Sequence, residues 1–239
     1  TGSENSAFKP NQVYQINADA NGDIIISSEN GLYKYRKNFG INVEQKNNTF
    51  FLSVIAPDSS CIVSTINNTY FKNGNRLISI EKKFPEFNGF QHLSFNDFEY
   101  LNNGKIILGT ENELGIYIWD YKNKSINRLE TTLRQPEIIK QSNNLYKDSD
   151  IIYILTDLDF WEYSGNKLKS HRLVNIFMTY GLLFDLLRLG NKYFFTSYDN
   201  GVIVTDMNFN IVKIYSTDNG LSDNGVYKIH SLGDSVLLV

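Results

Sequence analysis

The chain has one cysteine, four prolines and three histidines in 239 residues, and each scarcity removes a class of answer. A single cysteine excludes an internal disulfide framework. Cys61 stands in the apolar run Cys61-Ile62-Val63, where a small buried core residue is expected rather than a reactive thiol. None of His92, His171 and His230 has a second His or Cys at ligand spacing, so no metal site is expected. There is no Gly-rich phosphate loop and no Gly-x-Ser-x-Gly elbow. Basic excess is also lacking: the net charge is -3, with the positive residues scattered and Glu81-Lys82-Lys83 the densest cluster. That leaves no electrostatic footprint for nucleic acid. No apolar run is long enough to span a membrane, and no signal peptide is visible in the sequence. With few prolines and no Ser/Gly-rich linker, residues 1–239 read as a single domain or part of one.

What the chain does have is a repeat. Asn11-x-Val13-Tyr14-x-Ile16 returns as Asn224-x-Val226-Tyr227-x-Ile229, 213 residues later, and five intervals of about 43 residues fit between. The best-kept part is an apolar run, a Ser or Thr, a polar turn and a second apolar and aromatic run. The hydroxyl residues Ser28, Thr65, Thr110, Thr156 and Ser197 lie 37, 45, 46 and 41 residues apart. Around them, short runs rich in Ile, Val, Tyr and Phe are bounded by Asn, Asp and Gly, as in antiparallel strands. Asn30-Gly31 and Asn200-Gly201 are hairpin turn pairs.

An upstream strand is expected in each unit: Val13 to Asn17, Phe50 to Ile55, Phe95 to Leu101, Ile138 to Gln141, Leu183 to Leu189 and Val226 to Leu232. A fourth follows at Ile41 to Gln45, Arg76 to Ile80, Ser125 to Leu129, Lys167 to His171 and Ile211 to Tyr215. Phe177 to Leu189 comes nearest to a helical apolar period, but it also fits a connection leading into an innermost strand. Four strands per unit of roughly 40 residues predict an all-β fold, a β-propeller of four-stranded antiparallel blades. The expected blades are 11–46, 49–81, 92–130, 137–172 and 182–216, with a partial sixth at 224–239. About five and a half blades do not close a ring, so the chain reads as a fragment or incomplete ring with an edge left to pair.

Chemistry-bearing residues stay within this frame. Asp157 and Asp159, like Asp199 and Asp206, could serve acid/base work or Ca²⁺ binding as carboxylate pairs, yet they fall where turn formers are expected. Trp119 and Trp161 suggest sugar-stacking platforms. In the repeat register, however, Trp119 aligns with Tyr35 and Tyr163, and Trp161 with Tyr33 and Tyr117, so packing between blades is the expected role. The same register argument assigns most Tyr and Phe to packing. No catalytic residue, ligand-binding residue, metal or cofactor is assigned. Asn47-Asn48-Thr49, Asn67-Asn68-Thr69 and Asn123-Lys124-Ser125 match glycosylation acceptors, as chance allows in so Asn-rich a chain.

The assembled repeat resembles the two-component regulator propeller family. Its pattern is carried by Asn219-Gly220-Leu221-Ser222-Asp223-Asn224-Gly225-Val226-Tyr227-Lys228-Ile229, by Asp19 to Tyr35 and by Gly109-Thr110. Ile25 replaces the tryptophan usual in the middle motif. The match is good in the first and last copies and poor in the second and fourth. The resemblance implies the periplasmic, non-catalytic part of a hybrid two-component receptor, of the kind found in Bacteroidetes, that senses an oligosaccharide or other small molecule. It further implies adjoining domains as partners, with kinase activity outside this chain, and is compatible with a homodimer. A surface protein of type IX secretion carries a related propeller, which makes a protein-binding scaffold the alternative. A propeller enzyme would need acidic, His or Arg side chains converging on a channel, and the sequence shows no such set.

Overall fold

The computed structural model describes residues 13–18, 23–36, 40–46, 52–55, 61–65, 68–73, 76–90, 95–101, 104–110, 115–129, 139, 142–157, 159–171, 173–232 and 236–238. The chain divides into two compact units, 1–96 with 123–126 and 97–122 with 127–239.

The first unit holds two four-stranded antiparallel meanders. One is β1 (Val13–Ala18), β2 (Ile24–Ser28), β3 (Gly31–Arg36) and β4 (Gly40–Lys46). The other is β5 (Leu52–Ile55), β6 (Cys61–Ser64), β7 (Thr69–Asn73) and β8 (Arg76–Ser79). Ile25, Leu32 and Val63 form the buried core there, with Tyr70 and Leu77 packed against it. A single helical turn, α1 (Ile80–Lys83), and a 3-10 turn over Pro85–Phe87 follow β8. They bring Phe84 edge-on to Phe71 at 5.3 Å and Phe87 edge-on to Phe95 at 5.9 Å, geometries that aromatic quadrupoles favour.

Most of the third sheet lies in the second unit: β9 (Phe95–Leu101), β10 (Lys105–Thr110), β11 (Ile116–Asp120) and β12 (Ser125–Arg128). The fourth is β13 (Asn144–Asp148), β14 (Ile151–Leu155), β15 (Phe160–Ser164) and β16 (Lys167–Ser170). After helix α2 (Val174–Tyr180), the fifth is β17 (Leu183–Leu189), β18 (Lys192–Ser197), β19 (Val202–Asp206) and β20 (Ile211–Tyr215). A two-stranded pair, β21 (His230–Leu232) and β22 (Val236–Leu238), comes last.

Burial explains the strand order. The middle strands are packed on both faces and read as nearly unbroken apolar runs, Ile106-Ile107-Leu108 in β10 and Ile152-Tyr153-Ile154-Leu155 in β14. The fourth strands are the exposed ones, as in Lys167 and Lys169 of β16 and Ile211-Val212-Lys213 of β20. Two cores lie between consecutive sheets, Ile107 with Ile152 and Trp161 and Tyr153 with Phe195 and Ile203, and a third joins Phe194 of the fifth sheet to Val226 and Ile229 of the segment after it. Each fully buried aliphatic or aromatic side chain there contributes roughly 1.5–3 kcal/mol.

The repeated hydroxyl has a physical reason. Its side chain closes the turn between the second and third strands. Ser28 Oγ donates to Gly31 O, Thr65 Oγ1 to Asn68 O, Thr110 Oγ1 to Gly115 O, and Thr156 Oγ1 to Asp159 O. In the fifth sheet Ser197 Oγ instead donates to Tyr180 O and accepts from the Asn200 amide.

Three expectations are corrected. The inner strand of the fourth sheet is Asn144–Asp148, not Ile138 to Gln141. Ile139 is a buried core residue outside any strand, whereas residues 144–148 pair with β14 across a tight turn in which Ser149 takes φ 58°. The connection before β17 contains a true helix, Val174–Tyr180, which buries Ile176 in the core below. The span Val226 to Leu232 is a strand only over His230–Leu232, because Val226 and Ile229 are seated on the fifth sheet by other hydrogen bonds.

Candidate functional site

A β-bulge helps create an exposed aromatic cluster in the second unit. In β17, Leu183 pairs with Ser197 and Asp185 with Thr196, so Phe184 is the extra residue and its side chain is re-aimed. Phe184 meets Tyr227 at 5.1 Å and Tyr198 at 6.2 Å between ring centroids, and Tyr198 stands edge-on to Tyr227 at 5.9 Å. Tyr198 and Tyr227 are 52% and 53% exposed, so this is an aromatic platform rather than core. Leu182 and Met178, both exposed, extend the apolar character along the chain leading into β17.

Polar groups border the rings. A cleft of about 300 Å³ beside Tyr227 is lined by Leu221, Ser222, Asp223, Gly225, Val226 and Lys228. Asp223 Oδ1 accepts the Gly225 amide hydrogen at 2.8 Å, which fixes the turn before Tyr227. The Tyr227 hydroxyl is held above the usual phenol range, first by lost hydration and then by Tyr198, Asp223 and Asp199. Flat apolar faces rimmed by hydroxyls and carboxylates suit a ligand that has both apolar faces and hydroxyl groups.

A second construction is made of buried carboxylates on the inner strands, one of which, Asp185, directly follows Phe184. Asp97 Oδ1 accepts from Phe98 N at 2.8 Å, while Oδ2 accepts from Leu145 N at 2.5 Å in the next sheet. Asp185 repeats the pattern: Oδ1 accepts from Leu186 N at 2.9 Å and Oδ2 from Ile229 N at 3.1 Å. Lys228 Nζ lies 3.7 Å from Asp185 Oδ2. Burial pushes Asp97 up to about 6, against Lys228 and the two amide donors that favour the charge. Glu99 is pushed up to about 7 by burial and by Asp97, with Lys147 opposing. These groups tie one sheet to the next, and with both oxygens of each aspartate engaged they are staples rather than proton donors to a substrate.

Residues singled out from sequence fall elsewhere. Trp119 and Trp161 are buried at 2% and 8%, and Trp161 packs with Ile107 and Ile152 between the third and fourth sheets. Asp159 accepts from Phe160 N at 2.8 Å and Ser170 Oγ at 2.7 Å, and Asp206 accepts from Asn208 N and Asn210 N. Asp159 precedes β15 and Asp206 ends β19, each bonded to the adjoining turn, and Asp199 is an exposed residue of the turn after β18. His171 pairs with Glu162 at 3.1 Å and packs against Phe160 and Phe209. Lost hydration lowers its pKa despite Glu162. His230 is exposed, while His92, the side chain of Cys61 and the Asn47 triplet lie outside the described residues. Among the described residues, no group of three or more His, Cys, Asp and Glu could hold a metal ion. No helix among them is long and apolar enough to cross a membrane.

Sequence reasoning missed Phe184, Tyr198 and Tyr227, together with the staples. A signal for the staples existed: Asp97-Phe98 and Asp185-Leu186 place an Asp before a large apolar residue at the same position of the inner strand, two repeats apart. Nothing in the sequence separated the three platform rings from the packing rings of the same repeat.

These sheets define an all-β protein of the propeller type, built from four-stranded antiparallel blades. No family model matches the sequence, and no curated protein does. Among solved structures, it is similar to the extracellular domain assigned to a hybrid two-component system of B. thetaiotaomicron. Identity is 15% and the TM-score 0.69, over 96% of this chain and 32% of that one. A second extracellular domain from that organism, assigned to a one-component system, gives 15% identity and a TM-score of 0.59 over 99% and 37%. PorZ, a surface component of the type-IX secretion system of Porphyromonas gingivalis, gives 12% and 0.53 over 86% and 28%. The chain thus spans about a third of each of these chains, and at such identities the likeness is one of fold.

Proposed function

We propose that this chain is a ligand-sensing propeller segment of an extracytoplasmic signalling receptor, that it is non-catalytic, and that it takes an oligosaccharide on the Phe184–Tyr198–Tyr227 platform. The exposed aromatic triad carries this reading. A pyranose ring offers an apolar C–H face to stack and hydroxyls for the bordering Ser222 and Asp223, whereas a purely structural cluster would be expected to be buried. The fold likeness to extracellular domains of two-component and one-component systems supports the receptor context. Binding would favour one arrangement of adjoining domains over another by differential affinity.

A thermal-shift screen against defined oligosaccharides tests the reading, since a ligand that binds only the folded chain raises its melting temperature. The expected result is a shift with one glycan class, no turnover of that glycan, and loss of the shift in a Phe184→Ala, Tyr227→Ala double variant. A shift that survives the double variant removes the platform from the account. Absence of any shift favours the second reading, a protein-binding scaffold. The exposed Met178 and Leu182 in the chain leading into β17 support that reading, as does the fold likeness to PorZ.

A further inference from the structure

The platform is built from two separately held pieces of chain. Phe184 belongs to β17 and Tyr198 to the turn that follows β18, whereas Tyr227 belongs to residues 224–229, which form no regular strand. That segment is seated by a short series of bonds. Gly201 N donates to Asn224 O at 2.8 Å, Val226 N to Ser197 O at 3.0 Å, and Ile229 N to the Asp185 carboxylate at 3.1 Å. Val226 and Ile229 are buried beside Phe194 and Val204. Asp185 directly follows the bulged Phe184, and Lys228, its ion partner, directly follows Tyr227. One carboxylate therefore anchors both edges of the ring cluster.

We propose that Asp185 is a positioning residue that couples platform occupancy to the seating of residues 224–232 on the fifth sheet. A ligand lying across Phe184 and Tyr227 holds the two pieces together, so it tightens the seating. By linkage, a loosened seating weakens the ligand by the same factor. Asp185 reaches the ligand only through the rings, by fixing Ile229 and Lys228. This device rests on the platform reading for its ligand, but the coupling between rings and seating exists without one.

The test is amide hydrogen exchange on this chain at Gly201, Val226 and Ile229. In ligand-free protein, Phe184→Ala and Tyr227→Ala should each speed exchange at Val226 and Ile229 by about fivefold, leaving amides of the β18–β19 ladder unchanged. Unchanged exchange at those two amides in both variants overturns the coupling. In the ligand arm, the probes are cello-, xylo-, arabino- and galactohexaose. A hexaose that binds should slow Val226 and Ile229 exchange, and Asp185→Asn should weaken it by about tenfold, with partial rescue by Asp185→Glu. Binding that leaves these amides unmoved sinks the coupling but spares the platform. If no hexaose binds, the oligosaccharide reading fails and the ligand-free arm alone decides the coupling.

Discussion

Asp97 and Leu145, 48 residues apart, are joined at 2.5 Å by a carboxylate oxygen and a backbone N–H, and Asp185 with Ile229 repeats the bond 44 residues apart. The side chain thus supplies an acceptor that no strand partner provides, because inner strands of neighbouring sheets do not form a ladder with each other. A carboxylate is suited to this because its two oxygens serve its own sheet and the next at once.

Asp97→Ala should therefore destabilise more than a typical buried substitution. It leaves the Leu145 amide hydrogen without this acceptor in a dry interior, at about 1–3 kcal/mol for a group left unsatisfied, and removes the bond to the Phe98 amide as well. The expected loss is about 2–4 kcal/mol, read as a lowered denaturation midpoint in urea. A loss within about 0.5 kcal/mol would show that water or backbone adjustment replaces the staple.

The same burial sets a pH dependence. Glu99 is raised from 4.5 to about 7, so between those values the folded chain holds a proton that the unfolded chain has released. Its contribution is full below pH 4.5 and is lost as pH rises through about 7. His171, lowered from 6.5, acts in the opposite sense, losing its contribution as pH falls. The Glu99→Gln variant isolates the carboxyl. Its stability relative to the parent should increase between pH 4.5 and pH 7.5 by as much as about 3 kcal/mol, measured as paired denaturation midpoints across the range. A constant difference would mean that Glu99 titrates normally.

How much of this was legible differs by residue. The recurring Ser or Thr was visible because it is local: Thr156 finds Asp159 O three residues on, so sequence spacing and spatial contact coincide. Trp119 and Trp161 were readable as packing, since the repeat gave them equivalents. Ile138 to Gln141 misled because one buried residue, Ile139, resembles a strand when its partner strand is unknown. The platform was hidden for the converse reason. Tyr227 occupies a motif position like Tyr14, and whether such a ring is covered depends on long-range neighbours that composition does not encode.

Gly201 gives a sharper backbone prediction. It takes φ +75°, and a Cβ there would lie 2.0 Å from Tyr215 O and 3.0 Å from Leu221 Cδ1. Its N–H also holds Asn224 O at 2.8 Å. Gly201→Ala thus meets both a disfavoured dihedral and a backbone clash that no side-chain rotation relieves. A loss of about 2–4 kcal/mol is expected, with the heaviest increase in amide exchange over residues 224–229. Gly190, at φ +60° with nothing within 4 Å of its would-be Cβ, serves as the control, and its alanine variant should lose only about 1 kcal/mol.

Tyr227→Ala separates binding from folding. The ring is 53% exposed and its contacts are with two other rings that are themselves partly solvated, so little area leaves water on folding. Stability should fall by no more than about 1 kcal/mol. A ligand stacked on the platform, by contrast, loses a face worth about 1–2 kcal/mol or more once desolvated, and affinity should drop about tenfold or beyond. Tyr227→Phe keeps the face and removes the hydroxyl shared with Tyr198, so it should retain most of the affinity if stacking dominates. Titration calorimetry on the three proteins distinguishes the cases. Equal loss in Tyr227→Ala and Tyr227→Phe would move recognition from the ring face to the hydroxyl, and no loss in either would place the ligand elsewhere.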